Sequence, residues 1–150
     1  MSFANDISNF TRKVEGGASK VVKLTVAKLA ESITLKTPVG DPSGWKPRPN
    51  GKVYYPKGYV GGTARANWQY GNGYIPQSFL QEQDKSGNRT ISRIINELNS
   101  LEPFSVHYIT NNTPYIIALE DGHSKQAPAG MVKSTLLEFN EIVNSVSRLA

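Results

Sequence analysis

Between residues 37 and 62 the chain places Pro38, Pro42, Pro47, Pro49 and Pro56 among Gly40, Gly44, Gly51, Gly58, Gly61 and Gly62. Proline lacks a backbone donor and glycine has no preferred backbone basin, so neither a helix nor a strand ladder survives at this density. Regular structure must lie on either side. The sequence therefore predicts a helical segment 1–36, a long loop 37–62 and a segment of sheet and helices over 63–150. A chain of 150 residues can combine these into one domain around a shared core. A loop above about 15 residues without structure of its own is usually functional or disordered. Trp45, Tyr54, Tyr55 and Tyr59 speak against disorder, because rings of this size normally rest against a surface. A single small subunit leaves them little core to reach, and they are expected to dock on an adjacent protomer or partner.

The first segment has Phe3, Ile7, Phe10, Val14, Ala18, Val22, Val26, Leu29 and Ile33 at steps of three and four, which is one stripe of a helix. Gly16-Gly17 interrupts the pattern at roughly 1 kcal/mol per glycine relative to alanine. A kink or break is expected there, with residues 1–15 serving as an arm that packs on a neighbouring subunit. Thr37-Pro38 stops the helix, since the residue before proline is pushed out of the helical region.

Downstream, 63–70 reads as a strand that turns at Gly71-Asn72-Gly73, and 74–83 as a partner strand that Pro76 confines to an edge. Ile91, Ile94, Ile95, Leu98 and Leu101 mark an amphipathic helix capped by Asn88 or Thr90 and stopped by Pro103. Phe104, Val106 and Tyr108 alternate as a strand that turns at Asn111-Asn112. Val132, Leu136, Phe139, Val143 and Val146 define a C-terminal helix without a clear polar cap in its first turn. The simplest packing is α+β, with the first and last helices against a small, mostly antiparallel sheet.

No cysteine is present, so disulfides and thiolate metal sites are excluded. No apolar run approaches the about 18 residues of a membrane span, and no export signal opens the chain. The expectation is a protein made in the cytoplasm without a membrane partner. Lys and Arg exceed Asp and Glu by 7 over residues 1–74 and fall short by 2 over 75–150. Such polarity suits a subunit that meets its own copies, or a polyanion, through one side.

Glu120, Asp121 and His123 are close in sequence, but their spacing is no known ligand pattern, and only His107 lies elsewhere. Glu120 is better read as an acceptor for the backbone donors of the turn that follows, and Gly122 as the residue that ends a helical turn with a positive φ. Gly58–Thr63 lacks the lysine and the helix of a phosphate loop. No catalytic residue, metal or cofactor is therefore expected. The stronger signal is the mixing of Trp45, Tyr54, Tyr55, Tyr59, Trp68, Tyr70 and Tyr74 with Lys46, Arg48, Lys52, Lys57 and Arg65, with Trp68 and Tyr70 alternatively read as strand core and the rest as interface aromatics. Rings stack on bases while cations hold phosphates, so a single-stranded nucleic-acid module stands beside a protein interface as a reading of this loop.

Two regions carry a family resemblance. Tyr115, Leu119, Glu120 and Gly122, followed by Gln126-Ala127-Pro128-Ala129-Gly130-Met131-Val132, resemble the minor tail or tail-completion proteins of tailed bacteriophages. Thr37-Pro38-Val39-Gly40 after a long helix, and Gly62–Trp68 later, are similar to that family's Thr-Pro-Val, Thr-Gly and Trp-ended strand. Here an insertion separates the two halves, and Gly62-Thr63 reverses the usual order. The resemblance implies one helical turn at 115–119. It also makes Thr37, Pro38, Trp68, Tyr115, Glu120, Gly122, Gln126 and Pro128 framework positions. Further, it implies a non-enzymatic virion protein at the neck, a ring that joins the head connector on the portal side to tail tube or tail terminator subunits, with genomic DNA passing through its lumen. A tail terminator ring has a similar size and habit.

Overall fold

The computed structural model describes residues 3–41, 47, 49–52 and 61–149, and of Phe3, Phe10, Thr11 and Val14 only the helical backbone. Trp45, Lys46, Arg48, Tyr54, Tyr55, Lys57 and Tyr59, on which the docking expectation for the loop rests, lie outside the described residues. The architecture is α+β. Helix α1 (Phe3–Lys36) is followed by a helical turn α2 (Thr63–Ala66), strand β1 (Trp68–Asn72) and helix α3 (Asn88–Glu97) with a 3-10 turn over Leu98–Ser100. Strand β2 (His107–Asn111), α4 (Ile116–Glu120), α5 (Val132–Leu136) and α6 (Phe139–Leu149) complete the order. β1 and β2 pair antiparallel, with Trp68 opposite Asn111 and Tyr70 opposite Ile109.

The expected stripe of α1 builds the core only in its second half. Val26, Ala30 and Ile33 are buried against Trp68, Tyr70, Ile94, Leu98, Leu101 and Met131. Ala30 is fully buried in that core, and α3 packs against α1. From Ala4 to Gly17 every residue whose side chain is described is exposed, and burial begins at Ala18. The helix passes Gly16-Gly17 without a break.

Besides the expected kink, four sequence expectations need correction. Residues 63–66 form a helical turn rather than a strand, and β1 then runs through the expected turn to Asn72. The positive φ of 107° at Gly62 starts that turn, and the Gly62 carbonyl accepts from the Ala66 amide at 3.0 Å.

Residues 74–83 form no strand. Side chains hold them instead: Asn67 receives the Leu80 amide on Oδ1 at 2.8 Å and donates Nδ2 to the Leu80 carbonyl at 3.0 Å. Asn112 donates to the carbonyls of Pro76 and Ser78, each at 3.0 Å. Pro76 can give a ladder nothing, so carboxamides do the strand's work.

Phe104 and Val106 precede β2 and stay exposed, at 75% and 61%; the core side of this sheet is supplied by β1. The C-terminal helix divides at Leu137-Glu138, where the Glu138 amide reaches back three residues to Thr135 at 3.0 Å instead of four.

Candidate functional site

Thr37, at the end of α1, is fully buried and polar, so its hydroxyl must be paired. It donates to the Ile33 carbonyl at 2.7 Å and accepts from Trp68 Nε1 at 2.7 Å. The start of β1 is thereby tied to the stop of α1. Arg65, one turn before Trp68, spreads its guanidinium over the freed carbonyls: Thr37 at 2.7 Å, Leu35 at 2.9 Å and Lys85 at 2.6 Å. A cation over the last carbonyls of a helix also answers its dipole.

Beyond Thr37, Pro38 is buried, and Val39 is gripped by a side chain from far along the chain. Gln126 accepts the Val39 amide on Oε1 at 3.0 Å and donates Nε2 to the Val39 carbonyl at 2.8 Å. One carboxamide thus serves both backbone groups as a paired strand would.

Glu120 ends α4, which is the single helical turn expected at this place, shifted by one residue. Its carboxylate accepts the amides of Met131 at 2.8 Å, Val132 at 2.9 Å and Lys133 at 3.0 Å. These are the orphan donors at the start of α5, which has no side-chain cap of its own. The acceptor role read for Glu120 is met, although its donors belong to a helix eleven residues on and not to the adjoining turn.

Burial pushes the Glu120 carboxyl up, but the three amides and the charge of Lys133 outweigh it and hold the group below its ordinary value. Two glycines allow the approach. Gly122 sits at φ 85°, where an added Cβ would lie 2.5 Å from the Pro128 carbonyl. Gly130 sits at φ 81°, where a Cβ would lie 2.5 Å from the Glu120 carbonyl.

Thr37, Pro38, Trp68, Glu120, Gly122, Gln126 and Pro128 therefore converge on one clasp. It borders an open cleft of about 730 Å³ whose lining includes Val39, Asp41, Thr63, Tyr115, His123 and Gln126. Residues 42–60 are flanked by Asp41 and Gly61, and a Cβ on Gly61 would collide with the Gly40 carbonyl. The chain on either side of this segment is thus in contact at Gly40 and Gly61. Of the cationic loop residues, Lys52 is described; it is exposed, and its amide donates to Asn50 Oδ1 at 3.0 Å.

Both carboxylate oxygens of Glu120 are occupied by backbone donors, and no metal-ligating cluster occurs among the described residues. No helix among them is long and apolar enough to cross a membrane. Asp84 escaped sequence reading. It is buried and accepts Gly87 N at 3.1 Å, Thr90 N at 2.8 Å and Thr90 Oγ1 at 2.9 Å, so it caps α3 in place of Asn88 or Thr90. An aspartate before Ser86-Gly87 at the head of an amphipathic run was the available signal. No protein-family model, curated protein or solved structure matches this chain.

Proposed function

We propose that the chain is a structural subunit of a tailed-phage neck, a tail-completion protein that closes into a ring between the head connector and the tail tube or terminator, with DNA in the lumen. The observation that carries this reading is the convergence of the two resembling segments. Residues 37–40 and 115–132, far apart in sequence, are joined through Gln126, while Trp68 is tied to Thr37. The segments that resemble the family act as one framework here.

A ring made of one kind of subunit uses two different patches, and the surplus of 7 positive charges before residue 75 against the deficit of 2 after it offers opposite potentials for them. Exposed apolar side chains add support. Phe104, Val106, Tyr74 and Ile75 remain open to solvent near one end of the sheet, and Leu136 and Leu137 near the α5–α6 corner. Trp45, Tyr54, Tyr55 and Tyr59 are the proposed anchors across subunits, with Lys46, Arg48, Lys52 and Lys57 meeting acidic neighbours or DNA.

Sedimentation of the purified chain, together with imaging of the particle it belongs to, tests the reading. Discrete ring-sized oligomers and density at the head–tail joint are expected. A monomer that binds short single strands, with affinity falling steeply as salt rises, would replace the neck by a nucleic-acid module.

A further inference from the structure

Three places in the sequence set an asparagine or aspartate directly before a glycine: Asn50-Gly51, Asn72-Gly73 and Asp121-Gly122. Glycine has no side chain to shield its amide nitrogen, so that nitrogen can attack the side-chain carbonyl carbon before it and close a five-membered succinimide ring. Such attack needs an amide free of other bonds and a donor for the oxygen on which charge collects. The fold treats the three places differently.

Two of them are locked. Gly73 N donates to the Val106 carbonyl at 2.8 Å, and Gly122 N donates to the Leu119 carbonyl at 3.1 Å. Asn72 is held as well: its Nδ2 donates to the Ser100 carbonyl at 3.3 Å, and its Oδ1 is buried without a donor among the described residues.

Asn50-Gly51 differs at each point. Both residues are exposed, and the Gly51 amide makes no hydrogen bond among the described residues. Asn50 Oδ1 accepts the Lys52 amide at 3.0 Å, which folds the carboxamide over the backbone that carries Gly51 N and polarises its carbonyl carbon. Gly51 sits at φ 77°, where a Cβ would meet nothing within 4 Å, so ring closure and the entry of water are unobstructed.

We propose that Asn50 is a self-modifying site, at which Gly51 N displaces ammonia from the side chain and the folded protein converts Asn50 to aspartate and isoaspartate. In the first step the bond from Gly51 N to Asn50 Cγ forms and the Cγ–Nδ2 bond breaks. The proton lost by Gly51 N leaves with the ammonia. Water then opens the ring: addition at Cγ gives aspartate, and addition at the backbone carbonyl carbon gives isoaspartate, whose main chain runs through Cβ. Nothing is oxidised or reduced, and base speeds the first step by deprotonating the amide.

Residues 42–60 contain Lys46, Arg48, Lys52 and Lys57 and no acidic residue. The conversion sets a carboxylate among four cations and lowers the charge of this stretch from +4 to +3. Any contact it makes with a polyanion or an acidic neighbour therefore weakens as the protein ages. The site does not depend on the neck reading, and each can fail without the other.

Incubation of the purified full-length chain at neutral and mildly alkaline pH, beside a sample unfolded in urea, tests this by mass spectrometry of its peptides with the two acidic products separated. In the folded protein Asn50 should convert at least about tenfold faster than Asn72, the scale set by one hydrogen bond that Gly73 must first break. Both products should accumulate at position 50, faster at the higher pH, and the Asn50→Gln variant should show neither. In urea the two asparagines should convert at similar rates. Equal rates in the folded protein, or an Asn50 that survives there while the unfolded sample is converted, would overturn the proposal.

Discussion

At the scale of single residues, the fold leans on carboxylates and carboxamides that satisfy backbone groups distant in sequence. Glu120 serves three amides of α5, and Asp84 serves two amides and a hydroxyl at α3. Burial pushes Asp84 up, yet the bonds from Thr90, Gly87 and Ser86 hold it below its ordinary value, as the amides do for Glu120. A depressed folded pKa contributes stability that is whole above the ordinary values, 4.5 for Glu120 and 3.8 for Asp84. That stability is lost as pH falls through the folded values.

Thermal unfolding should accordingly be flat from neutral pH to about 5 and then decline, and Glu120→Gln with Asp84→Asn should lower the plateau and flatten the acid limb. An unchanged acid limb would mean that other groups govern it. Glu120→Ala should cost about 1–2 kcal/mol by denaturant titration, the range of a lost helix cap. The acceptor role of Glu120 was legible because an acid ahead of a glycine turn has few other uses. Its donors were not, because the partner helix is brought to it by tertiary packing. Asp84 was missed for the same reason: its cap arises from a bend over 84–87 that no periodicity reports.

At the scale of elements, periodicity located α1 and α3 well, because the second half of α1 and α3 each bury a stripe in one core. The second strand failed. Alternation cannot distinguish a segment held by a ladder from one held by side chains, and 74–83 belongs to Asn67 and Asn112. Asn67 is fully buried with its amide committed on both sides, so Asn67→Ala should destabilise by about 2–3 kcal/mol and release the Leu80 amide to hydrogen exchange. Retained protection at Leu80 would refute the bracket.

Gly16, inside α1, and Gly130, in the turn before α5, should behave oppositely. Gly16→Ala meets no neighbour and should raise the melting temperature, by up to about 1 kcal/mol in stability. Gly130→Ala forces a Cβ against the Glu120 carbonyl at a positive φ and should lower stability by more than that.

At the scale of the molecule, the proposed ring assigns the charge polarity seen in the sequence to association and not to folding. Rising salt from about 0.05 to 0.5 M shortens the screening length from roughly 14 Å to about 4 Å. Self-association should slow across that range while the unfolding midpoint moves little; a midpoint that tracks salt as strongly as assembly would place those charges inside the folding energetics. The resemblance pointed to the clasp residues, but how they meet was not legible, because a carboxamide grip such as that of Gln126 on Val39 leaves no periodic trace.

The contact of Gly40 with Gly61 has a further consequence for how such a chain can diversify. The energy of closing a stretch between two such neighbouring points grows only logarithmically with its length, about 0.6 kcal/mol per doubling. Descendants can therefore exchange the residues between those glycines for others of different length and chemistry while the grip of Gln126 on Val39 keeps its geometry.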